Sequence, residues 1–115
     1  MRTIKNAKIT GTMLGYEDHG IFTFFLNLDY DGSGQGAGGY CLDKPLKKDN
    51  KFICRIGTQK GMQLIIEILK IVGVEKWEDL PGKYIKADAD MGQVYRIGNL
   101  LKDEWLNFKD FFEEL

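Results

Sequence analysis

Asp31-Gly32-Ser33-Gly34-Gln35-Gly36-Ala37-Gly38-Gly39 is the stretch on which the reading of this chain turns. Five of the eight residues from Gly32 to Gly39 are glycine. Glycine in ordered structure costs about 0.5–1 kcal/mol relative to alanine, so such a density implies positive φ angles or a main chain that something else approaches closely. The segment reads as a wide glycine loop that lets a foreign molecule lie against bare backbone. It leaves the strand Ile21–Tyr30, in which Phe22, Phe24, Leu26, Leu28 and Tyr30 alternate onto one apolar face. Residues 3–14 form the partner strand of a hairpin, joined through the polar turn Gly15-Tyr16-Glu17-Asp18-His19-Gly20.

Beyond the loop, Tyr40-Cys41-Leu42-Asp43 reads as a third strand, and Lys44-Pro45-Leu46-Lys47-Lys48-Asp49-Asn50-Lys51 as a mobile, hydrated excursion. Thr58 caps a helix in which Met62, Ile65, Ile66, Leu69 and Val72 recur at three and four. Leu64, Ile68 and Ile71 widen that arc until the helix is mostly covered, and Gly73 ends it. Pro81-Gly82 makes a type II bend, Lys83–Ala89 and Gln93–Gly98 are strands joined by Asp90-Met91-Gly92, and Asn107 caps a closing helix with Phe108, Phe111, Phe112 and Leu115. The expectation is one α+β domain over residues 1–115. It is a five-stranded, mostly antiparallel sheet, or an OB-like partly open barrel, with a buried helix between the third and fourth strands.

The charges nearly cancel, at a formal net of −1, so nucleic acid is not a default partner, although a segregated basic patch would permit it. The first residues hold no apolar run of signal-peptide length, which points to the cytosol and away from the membrane. Cys41 and Cys54 lack a CxxC or nearby histidines and read as free thiols filling apolar space.

Gly34-Gln35-Gly36-Ala37-Gly38-Gly39 matches GxGxxG in form only, because a dinucleotide site needs a helix directly after it. A glycine loop can still offer backbone amides to an anion such as a nucleotide phosphate. Glu17, Asp18 and His19 have metal-compatible side chains, but consecutive residues rarely converge on one ion, and no cofactor or catalytic set is implied. Asp29 and Asp31 lie roughly 30 Å along the strand from that turn, whereas Asp43 returns toward it. An OB-like sheet would bind single-stranded nucleic acid with exposed aromatics on a basic surface, for which Tyr84, Lys86, Tyr95 and Arg96 are the candidates.

Leu14-Gly15-Tyr16-Glu17-Asp18-His19-Gly20-Ile21, the Gly32–Gly36 segment with Gly38-Gly39-Tyr40 and Leu42-Asp43, and Val72-Gly73-Val74 with Trp77-Glu78-Asp79-Leu80-Pro81-Gly82-Lys83-Tyr84 are distinctive together. In them the chain resembles small uncharacterised proteins encoded by tailed phages and prophages. That resemblance implies a bacterial cytosol during infection and favours a non-enzymatic accessory protein that binds and inhibits a host or defence component, in the manner of an anti-CRISPR protein. The surface for such a partner would comprise Glu17, Asp18, His19, Asp29, Asp31, Gly32, Ser33, Gly34, Gln35, Gly36, Tyr40 and Asp43, its acids imitating phosphate. A nucleotide-binding or other anion-binding module and a single-stranded nucleic-acid binder are the alternatives.

Overall fold

The computed structural model describes residues 1–18 and 20–113. His19, Glu114 and Leu115 lie outside the described residues, as does the side chain of Asp18, and with them the partner contacts expected of Asp18 and His19 and the helix packing expected of Leu115. In chain order the elements are β1 (Thr3–Asp18), β2 (Ile21–Tyr30), β3 (Ser33–Gly38), β4 (Asp43–Lys48), β5 (Lys51–Gly57), α1 (Gln59–Val72), β6 (Tyr84–Ala89), β7 (Val94–Gly98), β8 (Trp105–Asn107) and α2 (Phe108–Glu113).

The glycine segment is a strand, not a loop. Asp31 and Gly32 both take positive φ, 54° and 75°, and Tyr30 pairs with Ser33 across them. This is the two-residue reversal that matches the right-handed twist of a hairpin, for which Asp-Gly is a preferred sequence. Serine and glycine then run antiparallel to β2 in register, Gln35 opposite Leu28 and Ala37 opposite Leu26. What approaches the bare main chain is the protein itself. A Cβ on Gly36 would stand 3.6 Å from the Phe25 ring, one on Gly39 3.2 Å from it, and one on Gly38 2.5 Å from the Phe24 carbonyl.

Antiparallel pairing continues across the molecule in the order β3-β2-β1-β6-β7-β8. β1 is long enough to serve two partners, β6 along its first half and β2 along its second. Phe24, Leu26 and Leu28 fill the core from β2, as their alternation predicts, with Ile9 from β1 and Ile85, Ala87 and Ala89 from β6 on the same side. The sheet curls until the Gln35 amide donates to the Asp90 carbonyl at 3.0 Å, but β3 and β7 do not pair and no barrel closes.

Two differences from the expected five-stranded order follow from the residues after β3. Residues 39–42 are irregular, although Gly39 and Leu42 still donate to the Phe24 and Phe22 carbonyls. The expected hydrated excursion is instead a two-stranded ribbon, β4–β5, reversed at Asp49-Asn50 with φ of 52° and 62°. Pro45 is tolerated there because β4 has an unpaired outer edge. The helix therefore follows five strands, and β8 adds a sixth strand to the main sheet.

α1 starts where Thr58 caps the Gly61 amide at 2.8 Å and ends at Gly73, whose amide bonds the Leu69 carbonyl with φ of 89°. Its buried stripe is Gly61, Leu64 and Ile68, whereas Met62 is 64% exposed and Ile66 lies at the surface. The expected arc is too wide because, among the described residues, the Met62 side is left exposed. At the other end of the chain, Asn107 accepts from the Asp110 amide at 3.0 Å and opens α2 as its side chain predicts. Among the described residues no helix is long and apolar enough to cross a membrane.

Candidate nucleic-acid interface

The sheet has one covered face, toward α1 and α2, and one that is largely open. Residues facing outward on β6 are Tyr84 and Lys86, since their neighbours Ile85 and Ala87 point into the core. Register brings Lys8 opposite Tyr84 and Asn6 opposite Lys86 on β1, then Gly98 of β7 opposite Lys86 and Trp105 of β8 opposite Gly98. Gly98 is necessary at that crossing, because a Cβ there would come within 2.9 Å of the Trp105 ring. The indole therefore lies against the sheet, with the Arg96 guanidinium 4.0 Å and the Lys86 ammonium 4.9 Å from its centroid. Lys8 Nζ is 6.0 Å from the Tyr84 ring, which is 54% exposed.

Asp88 holds the margin of this surface in place. Arg2 Nη2 and Arg96 Nε reach its Oδ2 at 2.7 and 2.6 Å, so two guanidinium groups share one carboxylate. The hydrogen bond from Arg2, opposed by burial and reinforced by Arg96, keeps the Asp88 carboxyl below its usual range. The site thus retains net positive charge beside Tyr84 and Trp105, and the cations are oriented by ring and carboxylate contacts.

Three of the four sequence candidates for such a surface meet here: Tyr84, Lys86 and Arg96. Tyr95 does not. It is the extra residue at the irregularity between β6 and β7, donates to Asp90 Oδ2 at 2.6 Å, and lies under Arg2, so its ring belongs to the Asp88 margin. Lys8 and Trp105 were missed. Lys8 was legible as the outward neighbour of Ala7 and Ile9, but residues 99–106 have no alternation that would mark β8 in advance.

Among the described residues, Asp29, Gly34, Gln35 and Gly36 line one shallow hollow along β2 and β3, but the other acidic and glycine-rich candidates do not join them in one surface. Asp31 is paired with Lys5. Asp29 lies opposite Lys8 across the β1–β2 ladder. Asp43 is buried, bound by Arg55 and by the Phe22 amide. Glu17 is exposed at the far end of β1. Gly32, Ser33 and Gly34 are exposed along the turn and edge strand, while Gln35 is held by Tyr30 and the Asp90 carbonyl. Gly36 lies under Phe25. The Tyr40 ring stacks on Phe112 at 5.7 Å and packs tilted against Phe108 at 5.3 Å, and burial raises its phenol pKa. Cys41 and Cys54 are exposed free thiols and do not fill apolar space. Cys41 Sγ donates to the Asp43 carbonyl at 3.0 Å.

A hollow of about 300 Å³ opens at the curled end of the sheet, lined by Thr3, Lys5, Tyr30, Gln35, Asp90 and Met91. Its Lys5 ammonium is already neutralised by Asp31, which leaves a phosphate little to bind. Among the described residues no group of three His, Cys, Asp or Glu side chains is placed to hold a metal ion. The chain matches no protein-family model, no curated protein and no solved structure.

Proposed function

We infer that this protein is a non-catalytic module that binds single-stranded nucleic acid across the outward face of β1, β6, β7 and β8. The observation that carries the reading is the placement of Tyr84 and Trp105 among Lys8, Lys86 and Arg96 on one continuous surface. Base stacking on accessible rings, here the exposed Tyr84 and the half-buried Trp105, with cations alongside for the backbone, is how sequence-tolerant strand binders work. Strand order adds support. With the β4–β5 ribbon set aside, β3-β2-β1-β6-β7 is the OB order, opened along its last seam. Such an activity suits the phage setting implied by the sequence resemblance.

Inhibition of a host or defence protein by acidic mimicry ranks behind this reading. Asp31 and Asp43 already carry cationic partners of their own, so neither offers a bare carboxylate to a basic channel.

Titration of a fluorescent oligothymidylate, followed by anisotropy at several salt concentrations, tests the reading. Binding that weakens steeply with salt is expected, with Tyr84→Ala losing about 1–3 kcal/mol while the melting temperature stays put. Lys86→Glu should lower both affinity and salt slope. Unaltered binding by both variants would end the case for this face.

A further inference from the structure

We propose that the β4–β5 ribbon is a second contact for the same ligand class, an arm that grips a single strand through its phosphates and stacks one base on Phe52. The inference rests on the nucleic-acid reading but on different residues. Within the ribbon, Lys44, Lys47, Lys48, Lys51 and Arg55 stand against two acids, Asp43 and Asp49, in a chain whose overall charge is −1. Positive charge is therefore concentrated on this one element. Arg55 is spent on Asp43, but none of the four lysines has an acidic partner within ion-pair distance among the described residues. All four are exposed.

The ribbon also exposes apolar surface where a soluble hairpin has no structural use for it. Phe52 is 61% exposed, directly opposite Lys47 and adjacent to Lys51. Ile53 is left without a partner by the irregularity between Leu46 and Lys47 and is 53% exposed. Lys47 shares a face with Phe52, so a base stacked on the ring has a cation beside it for a neighbouring phosphate, while Lys48 and Lys51 pair on the other face for the next. Charge complementarity selects a polyanion as the occupant, and the exposed ring selects an unpaired strand over a duplex, whose bases offer no free face. The root of the ribbon is fixed by the Asp43–Arg55 pair, so the arm projects from an anchored base.

The test uses the full chain, an oligothymidylate of about 30 nucleotides and a duplex of equal length. Lys44→Gln, Lys47→Gln, Lys48→Gln and Lys51→Gln combined should flatten the log-affinity versus log-salt slope by about 3, since each phosphate contact on a single strand contributes about 0.7. Phe52→Ala should weaken binding about tenfold with the slope unchanged. Both changes lie on exposed side chains, and thermal melts check that the fold persists. Wild-type affinity and slope in both variants, while Tyr84→Ala still weakens binding, would overturn the arm and leave the sheet face standing. Loss in the ribbon variants with Tyr84→Ala silent would support the arm and remove the sheet face. Duplex bound as tightly as single strand would overturn the stacking assignment, and no binding by the unaltered chain would overturn both readings.

Discussion

Replacing Gly61 by alanine is expected to destabilise the protein by about 3 kcal/mol, a change that in most helices stabilises by nearly 1 kcal/mol. The reversal comes from what the helix start is pressed against. A Cβ on Gly61 would lie 2.2 Å from the Leu42 carbonyl oxygen and 2.8 Å from its Cα and C atoms. That carbonyl cannot move aside, because it accepts from the Thr58 amide at 3.2 Å and the Thr58 hydroxyl at 3.0 Å. Thr58 is in turn the helix cap through its bond from the Gly61 amide. Leu42 itself is a core residue whose amide donates to β2 at the Phe22 carbonyl, 2.7 Å away. One added methyl must therefore push α1 off the chain entering β4 or break the cap. Urea unfolding should show a lower midpoint at an unchanged slope, and a thermal scan a drop of roughly 10 °C or more. A variant as stable as the parent would mean the helix start is not packed as described.

Gly61 illustrates which parts of the fold were legible. Local signals were reliable: alternation in β2 and β6, the Thr58 and Asn107 caps, Gly73 at the helix end, and Gly82 with φ of 94° after Pro81. Each depends only on residues a few positions away. The purpose of Gly61 depends on Leu42, nineteen positions earlier and in contact only in the folded chain, so composition alone marks it as a tolerated weakness. The glycine segment failed for a related reason. Its density invited one explanation for all five residues, yet Gly32 serves a turn, while Gly36, Gly38 and Gly39 make room for Phe24 and Phe25 across the ladder. The Asp-Gly pair was the readable cue that the chain turns back at once.

The candidate interface was half legible. Tyr84, Lys86 and Arg96 lie on strands whose alternation fixes which side chains point outward, and those three were found. Trp105 needed the register between β7 and β8, and β8 has three residues, too short for any periodic pattern. The ribbon was obscured differently: Lys-Pro, Lys-Lys-Asp-Asn and a charge at five of the eight positions from Lys44 to Lys51 resemble a hydrated loop. Asp49 and Asn50 accept positive φ, however, and that pair turns the excursion into a hairpin. Charge pattern therefore located the basic residues correctly and misread the element that carries them.

Asp43→Asn is expected to remove about 2–3 kcal/mol at neutral pH, and its effect should fade in acid. The Asp43 side chain is 1% exposed and takes Arg55 in a fork, Nε to Oδ2 at 2.7 Å and Nη2 to Oδ1 at 2.8 Å, with the Phe22 amide on Oδ1 at 3.1 Å. Asparagine keeps the shape and one acceptor but discards the charge that makes the fork strong. The Arg55 hydrogen bonds, opposed by burial and aided by the Phe22 amide, hold the carboxyl well below the ordinary carboxylate range. A depressed folded-state pKa contributes stability that is complete above the unfolded value near 4 and is lost as pH falls through it toward the folded value. Arg55 is pushed upward by the same pair and stays charged throughout, so it adds no slope in this window. The stability gap between parent and variant should then be flat from about pH 5 to 8 and shrink steadily below about pH 4. Chemical denaturation across that range measures it, and a gap that persists undiminished in acid would show that the charge of Asp43 is not its source. Because Asp43 opens β4 and Arg55 belongs to β5, the same substitution loosens the root of the ribbon while leaving the sheet face untouched. Amide exchange in the variant should therefore quicken first at residues 43–57, while Trp105 keeps its place over Gly98.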